Sequence, residues 1–233
     1  GMSEIGICSF DVSTDRDGKT RSIGRDMPGM EFQIIDDDGN RHPPGTPGEL
    51  RVRRTGPNPR LGLLEEYFRD PATTAEVWQD GWFHTGDILV EEPAGLVFVD
   101  RKKHMIRRSG QNISAAEIEA TLRTHAAVRE IAVIPIPDDL RDEEVFACII
   151  LEDGIAGTDE LADELVRFTL ERLAYFKVPG WVAFLDELPT TYSQKLRKGE
   201  IFGDADPTAD PRTVDLRQVK QSRGKGPGNN AAK

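Results

Sequence analysis

The chain has 233 residues, 37% of them hydrophobic, and its 41 acidic side chains outnumber 30 basic ones for a formal net charge of −11. That is apolar material enough for one large or two small domains with real cores. The acidic balance argues against nucleic acid or an anionic membrane surface as partner, because both select a net basic face, and no apolar run approaches the roughly 18 residues of a membrane helix.

In chain order, the first half reads as short β runs broken by turns. "MEFQIID" (30–36) and "GELRVRR" (48–54) flank "DDGN" (37–40), where Asp38-Gly39 tolerates the positive φ of a chain reversal. "DPATTAEVW" (70–78) is the one helix expected here, with Asp70 as N-cap and Pro71 at the first helical position. "GLVFVDR" (95–101) is a further strand. Beyond Arg101 the rhythm changes. "SAAE" (114–117) is a capping box, Ser114 accepting from the Glu117 amide while the Glu117 carboxylate reaches back, and it opens a helix to about His125. "VREIAVIPI" (128–136) and "EVFACIILE" (144–152) are strands too continuously apolar to have one wet face. A helix from Asp159 to Leu173 carries Leu161, Leu165, Phe168 and Leu173 on one stripe, and "WVAFLDE" (181–187) is a last strand. The order predicts an α+β protein, with a mostly β part followed by a small α+β sandwich. From Asp204 onward Pro, Gly, Asn and charge predict a disordered tail. Cys8 and Cys148 are far apart and each sits among apolar residues, which predicts two buried thiols and a reducing, cytoplasmic setting.

Four short stretches carry candidate chemistry. "GMSEIG" (1–6) alone is a flexible terminus. "DGWFHTGD" (80–87) reads either as two turns around the aromatic pair Trp82 and Phe83, or as a strand start that fixes Asp87 to accept two ribose hydroxyls. "FVDRKKHMIRRSGQNIS" (98–114) gathers Arg101, Lys102, Lys103, Arg107 and Arg108. It reads as a solvated hairpin with charged edges, or as a site for a small anion, with Arg101 based on a strand and "SGQN" letting backbone approach a ligand. "LPTTYSQKLRKGEI" (188–201) holds Lys195, a surface lysine or a point charge suited to a phosphate or carboxylate.

In this order and spacing the four stretches resemble the C-terminal part of the adenylate-forming enzymes: acyl-CoA synthetases, luciferase and peptide-synthetase adenylation domains. The likeness runs from Gly1 to about Ile201, and "YFRDPATTAEVWQDGWFHTGD" (67–87) is its most specific stretch. It implies a β-rich end of the AMP-binding domain over 1–101, a mobile C-terminal domain over 102–203 and a tail over 204–233. It implies that Ser3 touches the α-phosphate of ATP and that Glu4 helps bind Mg²⁺. Asp87 and Arg101 hold the ribose, and Lys103 is the hinge about which the C-terminal domain turns between half-reactions. Lys195 bridges the carboxylic acid substrate and the α-phosphate, and Arg107, Ser109, Gly110 and Gln111 face coenzyme A. The reaction implied is carboxylate plus ATP to acyl-AMP, then thioester formation with CoA. "IPDDLRDEEVFACIILEDG" (136–154) and "AYFKVPGWVAFLDELP" (174–189) most resemble the branch that includes crotonobetaine/carnitine-CoA ligase.

Two departures from the family pattern stand out. The glycine-rich phosphate loop and most of the acyl pocket correspond to sequence before Gly1, so the expectation is a fragment that is inactive without the N-terminal part of its parent. Gln194 stands where the family usually has glycine before the lysine. Two alternatives stay open: a peptide-synthetase fragment, and a non-catalytic remnant that binds nucleotide, CoA or a protein partner.

Overall fold

The computed structural model describes residues 2–6, 9–10, 22–93 and 95–224; Cys8 lies outside them. The chain divides into two compact units, Gly1–Lys103 and His104–Lys233.

In the first unit β1 (Ser9–Phe10) pairs with β2 (Arg25–Asp26). A five-stranded sheet follows, built from β3 (Met30–Ile35), β4 (Gly48–Arg54), β5 (Trp78–Gln79), β6 (Trp82–Glu92) and β7 (Gly95–Arg101). Its order is β3-β4-β6-β5 with β7 also paired to β6, all antiparallel. After β3 the chain reverses at Asp36–Asn40, where Asp36 Oδ1 accepts from the Asp38 and Asn40 amides and Gly39 takes φ +81°. Between β4 and β5, α1 (Pro71–Val77) starts at Asp70, whose side chain accepts from the Thr73 amide. Ile34, Leu50, Val52, Trp78, Phe83, Leu89 and Leu96 form the core.

The second unit opens with the hairpin β8 (Met105–Arg108) and β9 (Gln111–Ser114), then α2 (Ala115–Leu122), β10 (Val128–Asp138) and β11 (Asp142–Leu151). It continues with α3 (Asp159–Leu170), β12 (Trp181–Phe184), β13 (Thr213–Asp215) and α4 (Arg217–Gly224). β11 is central: antiparallel to β10, parallel to β12, and bridged to β8 at Asp142↔Arg108. Its unbroken apolar run has a plain cause. Val145, Ala147 and Ile149 face α2 and α3 through Ile118, Leu122 and Leu165, while Phe146, Cys148 and Ile150 pack on Leu185, Leu188 and Leu196. Both faces are dry, so neither can alternate with polar residues. Burial pushes the Cys148 thiol up to about 12. Ser114 caps α2 by accepting from the Glu117 amide, and the Glu117 carboxylate is held by Lys177 Nζ at 2.6 Å.

Two sequence expectations change here. The division into units falls after Lys103 and not after Arg101, and Lys102 is ion-paired to Glu49 and Asp37 of the first unit. The segment from Asp204 is not a disordered tail as far as residue 224. β13 completes the sheet against β12, Leu216 is buried, Val214 and Val219 pack on the core, and Lys220 is 1% exposed. Low apolar content misled the reading because the few apolar residues present fall at the right positions to dock.

Candidate functional site

The first unit builds its site on a bulge. Arg51 of β4 pairs with His84 and Glu49 with Ile88, so Thr85, Gly86 and Asp87 of β6 lie opposite Leu50 alone. A bulge of this kind re-aims a side chain, and it needs a residue at ease with positive φ. Gly86 supplies it at φ +66°. Thr85 Oγ1 locks the bulge, donating to the Leu50 carbonyl at 2.7 Å and accepting from the Asp87 amide at 3.1 Å, and the Gly86 amide donates to Glu49 Oε1 at 3.2 Å. Asp87 is therefore held mid-strand, not at the strand start that the sequence suggested.

On the other side of β6, Asp87 is in register with Arg101, the last residue of β7. Arg101 Nε lies 2.8 Å from Asp87 Oδ1. The contact is an ion pair without hydrogen-bond geometry, for this buried oxygen accepts no hydrogen bond. Burial raises the Asp87 pKa above the ordinary carboxylate value, with the Arg101 charge opposing. Beneath the bulge, Glu49 Oε2 meets Lys102 Nζ at 2.9 Å and His84 Nδ1 at 3.6 Å. Burial works against the Glu49 charge, yet these two partners outweigh it and hold the carboxyl at about 2.

Residues 2–6 form a tight turn and not a loose terminus: the Gly6 amide donates to the Met2 carbonyl at 2.7 Å and Ile5 is buried. Ser3 is exposed at its tip. The Glu4 carbonyl accepts from the Leu64 amide, and the Tyr67 hydroxyl lies 3.2 Å from Glu4 Oε1.

Lys103 is exposed in a short 3₁₀ turn, Lys102–His104, at the division between the two units. In the second unit Ser109 and Gly110 connect β8 to β9 with φ +50° and +76°, the pair of left-handed residues that a two-residue hairpin turn requires. Arg107, Ser109, Gly110 and Gln111 are exposed. Arg108 is 5% exposed and turned inward, where Glu144 Oε1 accepts from its Nε at 2.9 Å and from Lys220 Nζ at 2.8 Å. Lys195 is exposed on a separate loop after β12. That loop is cinched by the Thr191 amide to the Lys195 carbonyl (2.7 Å) and by the Lys195 amide to Thr191 Oγ1 (3.1 Å), with Gln194 at φ +60°. Three residues on, Lys198 Nζ meets Glu119 Oε1 of α2 at 2.6 Å.

The structure thus brings Asp87 and Arg101 into contact and sets Lys195 and the hairpin on separate loops of the second unit. Sequence reasoning missed Tyr67, the Glu49–His84–Lys102 cluster and the Arg108–Glu144–Lys220 triad. Strand alternation was the available signal for the last, since Ile106 and Arg108 share the buried face of β8.

Residues 117–195 match the AMP-binding enzyme C-terminal domain family. The chain carries an AMP-binding enzyme C-terminal domain, and the relatives it matches are CoA ligases. It is 39% identical over 192 residues to a long-chain-fatty-acid–CoA ligase of Escherichia coli O6:H1, covering 82% of this chain and 32% of that protein. It is 37% identical over 203 residues to a crotonobetaine/carnitine–CoA ligase of Escherichia coli O139:H28, covering 84% and 37%. Among solved structures it is similar to o-succinylbenzoate CoA synthetase from Bacillus subtilis in complex with an acyl-adenylate intermediate. That match has a TM-score of 0.68 and 30% identity, covering 81% of this chain and 37% of the other. The chain therefore spans about a third of the length of the curated relatives it matches. Among the described residues no helix is long and apolar enough to cross a membrane.

Proposed function

We propose that this chain is the AMP-binding and CoA-facing part of an ATP-dependent acyl-CoA ligase. The observation that carries the reading is the buried Asp87 oxygen without a hydrogen-bond donor, held beside Arg101 on two paired strands. A buried carboxylate oxygen with an ion-pair partner but no hydrogen bond keeps acceptor capacity, and a ribose diol supplies two donors for such a carboxylate. Arg101 completes the pair from its rigid strand end.

In this reading the carboxylate of an acid attacks the α-phosphorus of ATP, the bond to the pyrophosphate oxygen breaks, and an acyl-adenylate forms. Lys195, free at its loop tip, offsets the negative charge gathered between the two reacting groups. Ser3 reaches the α-phosphate. Among the described residues no group of three or more His, Cys, Asp and Glu gathers as a metal cage. Mg²⁺ takes one or two protein carboxylates and completes its shell with phosphates and water. Glu4, steadied by Tyr67, is the carboxylate for it. In the second half-reaction the CoA thiol attacks the acyl carbon and AMP leaves, with Arg107, Ser109, Gly110 and Gln111 facing the incoming thiol. Lys103 is the hinge between the two arrangements.

The test is calorimetric titration of the chain with AMP and, separately, with CoA. Asp87→Ala or Arg101→Ala is expected to weaken AMP binding by about 1–3 kcal/mol, the usual loss of a charged hydrogen-bond partner. AMP affinity unchanged in both variants refutes the ribose assignment. The 233-residue chain alone is expected to release no pyrophosphate from ATP and a carboxylic acid, and measurable release refutes that expectation.

A further inference from the structure

The hairpin β8–β9 carries two adjacent arginines with opposite fates. Arg107 is exposed; Arg108 is buried against Glu144, itself 1% exposed. Glu144 Oε1 accepts from three donors: Arg108 Nε at 2.9 Å, Lys220 Nζ at 2.8 Å and the Val145 amide at 2.9 Å. Gly180 packs directly against this side chain: a Cβ there would stand 2.7 Å from Glu144 Cγ. The Tyr175 ring lies 5.9 Å from the Arg108 guanidinium and 5.6 Å from the Lys220 ammonium. Beyond this contact the hairpin is tied down by the bridge Asp142↔Arg108, by the Arg107 amide donating to Glu143 Oε2 at 2.6 Å, by the Ser109 amide donating to the Arg141 carbonyl just before β11, and by Ile106 and Ile113, which are buried in the core with Val145 and Ala147. A two-stranded hairpin is marginal by itself, so what anchors it decides where it points.

We propose that Glu144 is the positioning residue of this hairpin: by holding Arg108 inward it presents Arg107, Ser109, Gly110 and Gln111 outward together. This rests on the reading of those residues as CoA-facing. A slip by one residue would turn Arg107 inward and Ile106 and Arg108 outward; burial of Ile106 and the Arg108–Glu144 contact both oppose it, and only the latter also fixes a charged group. Charge-assisted hydrogen bonds of this kind are strong and directional, and a guanidinium has fixed donor directions, so the clamp sets orientation as well as distance.

The experiment is hydrogen exchange on the full 233-residue chain, comparing Arg108→Met, Arg108→Lys and Glu144→Gln. The Ser109 amide reports the hairpin, and the Ala147 and Ile149 amides of β11 report the folded core. Arg108→Met leaves Glu144 and Lys220 as a balanced buried pair and keeps the core intact. In it the Ser109 amide is expected to exchange about ten- to a hundredfold faster, with β11 unchanged. Arg108→Lys recovers part of the protection. In parallel, CoA affinity is expected to fall about tenfold or more in Arg108→Met while AMP affinity stays at the wild-type value. Wild-type Ser109 exchange in Arg108→Met overturns the proposal, and so does loss of β11 protection in both Arg108→Met and Glu144→Gln, which makes the triad a folding element only. Faster Ser109 exchange in Arg108→Met, together with no CoA binding by the wild-type chain, leaves Glu144 as the hairpin's anchor and overturns instead the CoA-facing reading.

Discussion

The buried triad holds two cations to one carboxylate, and Lys220→Met tests what that imbalance costs. Lys220 is 1% exposed, and burial pushes its pKa down to about 8 from 10.5 despite the attraction of Glu144, with Arg108 and Arg141 adding to the push. A gap of about 2.5 pKa units at 1.36 kcal/mol each means that carrying the proton in the folded state costs about 3 kcal/mol relative to the unfolded chain. The unfolded chain keeps this proton up to pH 10.5 while the folded one releases it near pH 8. Between those values the unfolded state binds more protons, so wild-type stability gains as pH rises. Methionine fills similar space without charge and leaves Arg108 and Glu144 as a matched pair, a replacement that buried ion clusters tolerate well. The variant is therefore expected to be at least as stable as wild type at pH 7. Its advantage is expected to shrink by about 3 kcal/mol between pH 8 and pH 10.5. Denaturant unfolding of both chains at pH 7, 8.5 and 10 measures this, other titrating groups cancelling in the difference. A gap between the two chains that does not change with pH refutes the reasoning.

Three further outcomes follow from local geometry. Gln194→Gly removes a side chain from a left-handed position at φ +60°; the relief, less the extra freedom of glycine in the unfolded chain, gives a net gain of about 0.5 kcal/mol, and a lower unfolding midpoint contradicts it. Gly180→Ala drives a methyl to 2.7 Å from Glu144 Cγ and 2.8 Å from its Cδ. Because three donors pin that carboxylate, the substitution is expected to destabilise by about 1–3 kcal/mol in denaturant titration, and an unperturbed midpoint means Glu144 moves freely. Glu49, held at about 2 against an ordinary 4.5, contributes stability that is fully present above pH 4.5 and lost as pH falls through 2. The stability difference between wild type and Glu49→Gln should close over that window; a constant difference rules the cluster out as an acid-labile support.

Element types and order were legible because their signals are local. Asp70-Pro71 and Ser114 marked helix starts through their own capping chemistry, and the unbroken apolar run of β11 announced a strand covered on both faces. The four motifs were likewise readable in order and spacing, which is how they led to the family. What the sequence could not determine depends on partners distant in the chain. Asp87 sits in a bulge whose existence rests on Thr85 reaching Leu50 and Gly86 reaching Glu49, separations of 35 and 37 residues. Lys220 read as one charge in a polar tail, and only the fold brought it to Glu144, 76 residues earlier. Arg107 and Arg108 are equivalent as letters in a basic run; the register of β8 against β9 and β11 decided that one is exposed and the other buried. Local propensity is written in neighbouring residues, whereas burial of a charge is set by which distant group arrives to meet it.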